Sequence, residues 1–380
     1  MLIRNLPEDV VMEILSRLPV ESLMRFKCVN KAWYFLIRNP DFIAKHLFRA
    51  TSDKRHRGFL LNREHEITRT PWVSLHSYET LAVSRYVDLL QFFPRDVGEL
   101  VVFGPCNGIL CLFGVPAERN DGDDDRGPRD GLVLWNPATR ESKALPIIQR
   151  PAEMPTTFSF CFGFGLDPNT GDLKVIRILN FNFLRCQVEV YNLSTDSWRV
   201  INTSVNPNYR INSPRFPSYL NGVHYWWACE RGGSGHRLML SFDMSNEVFQ
   251  EIALPPLTKR PSFEAIAVIN DSVALILVYN DLARRFYDIC VMNESGGEKT
   301  WTLMFTIGPR PHFSSLIELR DDGFVLVRNK NGWLVLYDPR TQEQRELPIY
   351  GDSFQVVSYT ETLVMLNGSG SVLVEHEDYS

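Results

Sequence analysis

The chain has 380 residues, of which 44% are hydrophobic and 22% charged, with a formal net charge of −5 at pH 7. This length suggests two or three average domains, or one small domain followed by one large all-β domain. The acidic balance argues against nucleic acid as a partner, and no apolar run approaches the roughly 20 residues that a membrane-spanning helix needs.

The seven cysteines show no disulfide-framework spacing and no Cys-x-x-Cys pair, which argues against a structural zinc site. Because the N-terminus also lacks the apolar core of a secretory signal, we expect a protein of the cytoplasm, and possibly also of the nucleus. Charge is unevenly spread along the chain. Residues 1–57 hold eleven Lys/Arg and six Asp/Glu, a net of +5, so the remainder carries −10.

The first 47 residues predict three short amphipathic helices. Pro7 suits the first turn of a helix, where its missing N–H would be unpaired in any case. Apolar residues then recur with helical spacing at Val10, Val11, Ile14, Leu15 and Leu18. Pro19 ends this helix and begins the next, and Asn39 is placed to cap a short one through Leu47.

A helical unit of about 40 residues is below the size that normally folds alone. Its spare apolar face therefore indicates a partner protein, although the helices could instead cap the large domain. Residues 48–57 are rich in Lys and Arg, and we predict a polar linker there.

A repeating strand pattern fills residues 58–380. Each unit has an apolar strand, an Asn or Asp, a turn and a polar strand, and the Asn/Asp position recurs at 136, 192, 243, roughly 292 and 338. Periods near ~50 residues are typical of kelch-type propeller blades. Each unit follows another hairpin, often turning at Asn-Gly or Asp-Gly, and two hairpins make one four-stranded blade.

Five blades are readable in this pattern, and the ends of the domain predict a sixth. C-terminal strands at 354–359, 363–366 and 372–375 would join a strand at 58–61, which would leave no open sheet edge. The predicted fold is thus a small all-α domain followed by an all-β propeller of six kelch-like blades.

The string from Leu6 to Trp33 resembles an F-box, with Leu-Pro-Glu-Asp at its start and Ile-Leu-Ser-Arg-Leu-Pro at 14–19. The resemblance implies docking to a Skp-type adaptor, which joins a cullin scaffold and a RING subunit. It also implies the residues that bury against the adaptor: Leu6, Pro7, Ile14, Leu15, Leu18, Pro19, Leu23 and Phe26.

The larger domain resembles the F-box-associated (type 1) domain of plant F-box proteins. The resemblance rests on the segments 104–110 (GPCNGIL), 135–140 (WNPATR) and 162–167 (FGFGLD), in that order, and a long loop at 118–130 departs from the family pattern. Segments 23–28 and 104–106 further resemble the S-locus F-box group. That group acts in pollen self-incompatibility and recognises non-self stylar ribonucleases.

Motifs for catalysis or metal binding are missing from the sequence. The acidic run Asp121–Asp125 fails as a calcium loop, because Arg126 stands where Gly is needed and Leu132 where Glu is needed. His224 lies within a strand pattern and is expected to be a satisfied core histidine. We therefore predict a non-catalytic protein without cofactor or metal.

The predicted function is that of the substrate-recognition subunit of an SCF-type ubiquitin ligase, with S-ribonucleases as one candidate target. The alternatives are an adaptor-bound scaffold, a receptor for an unrelated target, for example in defence or hormone signalling, and, remotely, a propeller enzyme. Substrate contacts are expected on the loops 86–96, 118–130, 206–215, 230–237 and 284–285. The candidate residues on these loops are Arg95, Asp123, Tyr209, Arg231 and Arg284.

Overall fold

A computed structural model describes most of the chain, with gaps in several loops and at both ends. The described residues are 7–64, 70–93, 97–116, 131–146, 159–181, 184–202, 205–231, 236–257, 259–281, 284–309 and 312–366. Over these residues, four short helices precede six antiparallel sheets.

The helices begin where the sequence supplies a start signal. They are α1 (Glu8–Leu15), α2 (Val20–Phe26), α3 (Lys31–Ile37) and α4 (Pro40–Ser52). Pro7 and Pro19 directly precede the first two helices. The Asn39 side chain caps α4 by accepting a hydrogen bond from the backbone N–H of Asp41 at 2.7 Å.

The helical region is longer than predicted. The structure has four helices: the three of the predicted small domain and the short one that Asn39 was expected to cap, α4, which continues past Leu47 to Ser52 and is followed by a 3₁₀ turn at Lys54–His56. The segment predicted as a polar linker is therefore largely helical. Its basic side chains are not all solvated, since Arg49 Nη2 donates to the Glu13 carboxylate on α1 at 2.6 Å. Arg49 and Lys45 together hold the pKa of Glu13 at about 2.

The strands form six sheets, which are numbered here in chain order as blades one to six. In blade four the inner strand is in two pieces. The first two sheets contain β1 (Arg57–Glu64), β2 (Pro71–Ser77), β3 (Val83–Val87) and β25 (Phe354–Thr360), then β4 (Val97–Cys106), β5 (Ile109–Pro116), β6 (Gly131–Trp135) and β7 (Ser142–Ala144). The next two contain β8 (Ser159–Leu166), β9 (Leu173–Phe181), β10 (Arg185–Asn192) and β11 (Ser197–Ile201), then β12 (Tyr209–Ile211), β13 (Tyr219–Leu220), β14 (Val223–Glu230), β15 (Arg237–Asp243) and β16 (Val248–Ala253). The last two contain β17 (Phe263–Ile269), β18 (Ser272–Asp281), β19 (Arg284–Ser295) and β20 (Glu298–Ile307), then β21 (Phe313–Leu319), β22 (Val325–Asn329), β23 (Trp333–Tyr337) and β24 (Gln344–Tyr350).

The sheets form a closed ring of six blades, as the repeat predicted. Neighbouring sheets meet through strands near their inner edges: β25 contacts β4, β4 contacts β8, β14 contacts both β8 and β17, and β21 contacts β25. Blades five and six share one apolar core. The inner strands therefore surround a common axis.

Among the described residues, one of the three predicted C-terminal strands closes the ring. β25 pairs antiparallel with β1, with Leu60 opposite Val357, and so becomes the inner strand of the first blade. Residues 363–366, predicted as a strand, form none, and residues 372–375 lie outside the described residues. Buried Asn136 explains the difference, because its Nδ2 donates to the carbonyl oxygens of Thr362 (3.1 Å) and Val364 (2.9 Å).

The recurring Asn/Asp of the sequence repeat has a local structural task. Oδ1 of Asn136, Asp243 and Asp338 accepts the backbone N–H two residues further on, at 2.8–2.9 Å. This Asx turn reverses the chain between the two outer strands of a blade. In three of the six blades, the sequence repeat of about 50 residues thus coincides with this turn.

The helices lie against one end of the propeller. This end, here called the turn face, carries the hairpin turns at 107–108 and 221–222 and the end of β25. Side chains from all four helices, including Leu15 and Leu23, share one apolar core with Cys106, Ile109 and Leu363 of the propeller. The opposite end, where β4 and β25 begin, is called the distal face.

Candidate functional site

Two surfaces stand out as candidate sites: one side of the helical unit and a cleft on the distal face. On the helices, α1 exposes apolar side chains that the propeller does not cover. Val10 is 40% exposed and Ile14 50% exposed, and Pro7 beside them is exposed as well. Soluble proteins rarely leave neighbouring apolar side chains uncovered without a binding role.

The structure divides the eight predicted adaptor-binding residues. Pro7, Ile14 and Pro19 are exposed, and Leu18 and Phe26 are half-buried. Leu15 and Leu23, in contrast, are buried in the core shared with the propeller and present no surface to a partner. Leu6 lies outside the described residues. Helical spacing predicted one apolar face on α1. It could not show that the propeller covers one edge of this face and leaves the other edge exposed.

Sequence reasoning missed further exposed aromatic side chains on the helical unit, among them Tyr34, which is 40% exposed. Phe35 on α3 and Phe48 on α4 are 68% and 70% exposed. Phe48 falls in the segment that was predicted as a linker. Helical periodicity in this segment would have placed Phe48 on a different side of the helix from the buried Leu47 and Ala50.

The distal face has a cleft of about 240 Å³ on the propeller axis. Its walls come from the starts of β4 and β25, the end of β1, the middle of β21 and the segment 213–216. That segment interrupts the inner strand of the fourth blade between β12 and β13. Pro214 and Pro217 explain the interruption, because proline has no N–H to continue a strand ladder.

The interrupting segment reaches across the axis. Phe216 is buried in the apolar core that blades five and six share. The carbonyl oxygen of Pro217 accepts a hydrogen bond from the backbone N–H of Val268 on β17 at 2.7 Å. Segment 213–217 therefore forms a fixed wall of the cleft and narrows the axial channel beneath it.

Four ionisable side chains line the cleft: Arg63, Glu64, Glu99 and Arg215. Arg63 donates from Nη1 to the carbonyl oxygen of Tyr350 at 3.0 Å, and its guanidinium stacks on the Trp72 ring. Arg215 is exposed and lies over the Phe263 ring at 5.6 Å. Glu99 is also exposed.

A buried amide lines the same cleft. Asn62 Nδ2 donates to the carbonyl oxygen of Leu100 at 2.9 Å, which joins blades one and two. Asn62 Oδ1, however, is buried and has no hydrogen-bond partner. An unpaired buried acceptor costs about 1–3 kcal/mol, so a donor that enters the cleft gains by pairing with it.

Of the predicted substrate-binding residues, Tyr209 and Arg231 do not line this cleft. Tyr209 is buried in β12, where its hydroxyl donates to Glu251 at 2.8 Å, so it has a structural role. Arg231 is exposed just after β14, and Arg284 begins β19. Arg95 and Asp123 lie outside the described residues. Arg215, the last residue of a predicted contact loop, does line the cleft.

Burial keeps the His224 imidazole and the Cys106 thiol of the propeller in their neutral forms, so neither is an activated nucleophile or base. His224 is buried on β14, which lowers its pKa to about 3, and burial raises the pKa of Cys106 to about 12. His224 is thus a core residue but not the fully satisfied one expected, because Nε2 lies 3.4 Å from Ser218 Oγ whereas the buried Nδ1 has no hydrogen-bond partner among the described residues. Among the residues that the structure describes, no three His, Cys, Asp or Glu side chains are grouped to hold a metal ion.

One carboxyl near the axis is strongly perturbed. Glu318 on β21 is buried, accepts a hydrogen bond from the Ser358 hydroxyl on β25, and has its pKa raised to about 7 by burial. Its second oxygen, Oε2, has no partner.

No described helix is long and apolar enough to cross a membrane.

Comparison with known families and proteins gives matches along nearly the whole chain. The F-box associated beta propeller domain family matches residues 98–365, and the F-box domain family matches residues 3–45. The chain is 26% identical to F-box protein CPR1 of Arabidopsis thaliana, covering 91% of this chain and 84% of that protein. It is 28% identical to the F-box/kelch-repeat protein At3g23880 of the same plant, covering 88% of each. Among solved structures, a hypothetical selenium-binding protein from Sulfolobus tokodaii matches 77% of this chain and 73% of its own, with a TM-score of 0.43 and 11% identity.

Proposed function

The chain belongs to the F-box associated β-propeller family, and from this membership we propose that it is the substrate-recognition subunit of an SCF-type (cullin–RING) ubiquitin ligase. The helical unit docks a Skp-type adaptor, and the propeller binds the target protein. The observation that carries the proposal is the exposed apolar side of α1, which stays uncovered although Leu15 on the same helix is packed in the core shared with the propeller.

The arrangement suits a receptor that works by proximity. The helices lie at the turn face and the cleft opens at the distal face, so an adaptor and a target can bind together without competing for one surface. Holding a target near the ubiquitin-loaded enzyme raises the effective concentration of its lysines. The receptor itself needs no catalytic group for this task.

A pull-down with a purified Skp-type adaptor tests the docking half of the proposal. Replacing half-exposed Ile14 by Asp places a charge in the proposed contact, and we expect at least tenfold weaker capture, equivalent to about 1.4 kcal/mol. Val83→Asp is the matched control, because Val83 is 45% exposed on the outer strand of blade one. Equal capture of Ile14→Asp and Val83→Asp would contradict adaptor docking through α1.

The rival functions differ in what they do to a bound partner. A receptor lowers the abundance of its target in a proteasome-dependent way, whereas a scaffold leaves its partners stable. A non-catalytic role is part of our proposal, and turnover of a small substrate by the purified chain would contradict it. A target in defence or hormone signalling stays open in the same framework.

Membership of the S-locus group, with stylar ribonucleases as targets, stays a prediction. The two relatives described above are named as F-box and F-box/kelch-repeat proteins, and their names give no target. Pollen-restricted expression of the transcript would support the S-locus assignment, and broad leaf expression would oppose it. A cytoplasmic or nuclear location likewise stays a prediction, to be tested by microscopy of a tagged chain.

A further inference from the structure

We propose that the distal cleft takes a basic side chain, Lys or Arg, from an extended segment of the protein target. The inference deepens the proposed function, because it names the chemistry by which the propeller recognises its target. It identifies Glu99 and Asn62 as the residues that determine specificity at this site.

The first argument is the pattern of hydrogen-bond groups. Asn62 Oδ1 is a buried acceptor without a partner, and its amide nitrogen is already engaged by the Leu100 carbonyl. The cleft therefore offers an unmatched acceptor, which calls for a donor from the occupant. Ammonium and guanidinium groups carry only donors, so they pair with such a site without adding another unmatched acceptor.

The second argument is charge. Glu99 lines the cleft, is exposed, and is joined to no other described residue by a hydrogen bond or an ion pair. Because Glu99 and Leu100 are consecutive on β4, their side chains project to opposite sides of that strand, and the Glu99 carboxylate and the Asn62 amide line the cleft from different sides. Residues 58–380 carry a formal net charge of −10, which favours the approach of a basic segment over long range.

The two arginines of the cleft have other contacts. Arg63 is engaged by the Tyr350 carbonyl and by the face of Trp72, at 4.8 Å from the ring centroid. Arg215 stands on the wall formed by segment 213–216 and lies over Phe263. Arg215 opposes a basic occupant, and removing its charge should strengthen the interaction. The sign of that effect separates a basic from an acidic ligand.

The size of the cleft sets the class of occupant. About 240 Å³ is less than the roughly 300–1,000 Å³ of pockets that hold drug-sized ligands, and it suits one long side chain. Exposed aromatic rings lie beside it, since Trp72 is 42% exposed and contacts Tyr86 at 5.9 Å between ring centroids. Such rings are frequent at the energetic centres of protein interfaces, and they offer a surface for the rest of the segment.

The test uses the full chain and a phage-displayed library of random dodecapeptides. Enriched peptides are synthesised, and their binding is measured by calorimetry at low and high salt. We expect enriched peptides to share a Lys or Arg whose replacement by norleucine abolishes binding. Glu99→Gln should weaken binding by about tenfold, the value of one hydrogen bond to a charged group. Arg215→Gln should leave it unchanged or strengthen it.

A matched control separates the loss of a charge inside the cleft from the loss of a surface carboxylate elsewhere. Glu298→Gln changes an exposed carboxylate in the β19–β20 hairpin, away from the cleft, and should leave peptide affinity unchanged. Peptides that share Asp or Glu and lose affinity with Arg215→Gln would overturn the proposal, and so would the absence of any enriched peptide. Adaptor pull-down of Glu99→Gln is run in parallel. If Glu99→Gln captures the adaptor normally but binds the peptides more weakly, the result supports the proposed role of the cleft. If the wild-type chain does not capture the adaptor, the result contradicts the proposed function but not the role of the cleft.

Discussion

Replacing Glu318 by Gln should stabilise the protein above pH 7 and leave it nearly unchanged at pH 5. The carboxyl is 4% exposed, and burial raises its pKa from 4.5 to about 7 in the folded protein. In the unfolded chain the group regains its ordinary pKa. Between pH 4.5 and 7 the folded state therefore binds more protons than the unfolded state, and its stability falls as the pH rises through this window.

The size of the effect follows from the shift of the pKa. A difference of about 2.5 units corresponds to roughly 3 kcal/mol at 1.36 kcal/mol per unit, and this is the destabilisation that the ionised carboxylate imposes above pH 7. Gln cannot ionise, and its carbonyl oxygen can still accept the hydrogen bond from Ser358. Loss of the attraction to neighbouring Arg320 reduces the gain, so we expect about 1–3 kcal/mol at pH 8.

Urea unfolding of the full chain at pH 5, 6, 7 and 8 measures this difference. The midpoint of Glu318→Gln should lie close to the wild-type midpoint at pH 5 and exceed it by a growing margin as the pH rises to 8. Glu298→Gln, at an exposed site, should follow the wild-type curve. Parallel curves for wild type and Glu318→Gln would refute the reasoning, as would a variant that is less stable than the wild type at pH 8.

Three further substitutions test the contacts that hold the blades. Lys174→Met should cost about 3–5 kcal/mol in urea unfolding, because it leaves two carboxylates without the buried ammonium that each meets at 2.9 Å. Asn136→Ala should cost about 2 kcal/mol and speed proteolysis after residue 362, since it frees two carbonyl oxygens of the C-terminal segment. Gly165→Ala should lower the thermal midpoint by several degrees, because a Cβ there would lie 2.2 Å from the Tyr219 ring. Wild-type behaviour in any of the three would contradict the corresponding contact.

The propeller could be predicted from the sequence because its signals are local and repeated. The Asx turns at Asn136, Asp243 and Asp338 need only one residue type at one position, and they recur in three of the six blades. Hairpin turns such as Asn107-Gly108 require positive φ, at 48° and 75°, and this requirement is visible in the residue types. The predicted six-bladed ring is therefore confirmed.

The candidate sites depended on contacts that sequence patterns do not carry. Leu15 and Ile14 are adjacent on one apolar helix face, yet the propeller covers only Leu15. The cleft unites Asn62, Glu99 and Arg215 from three blades, and nothing in their local sequence links them. Closure of the propeller ring brings together residues that are far apart in the sequence. The alternation of side chains along a single strand shows only which of its two faces each residue occupies.

The closing strand has a consequence for the synthesis of the chain. β1 leaves the ribosome early but must wait almost 300 residues for β25, and the helical unit packs partly on segment 363–366, which is made later still. During translation, an open strand edge and the apolar side of the helices are both uncovered, and such surfaces attract chaperones and aggregate readily. A chain cut short before residue 354 would keep both defects permanently. The fold of the receptor is therefore complete only after translation has passed β25 and segment 363–366.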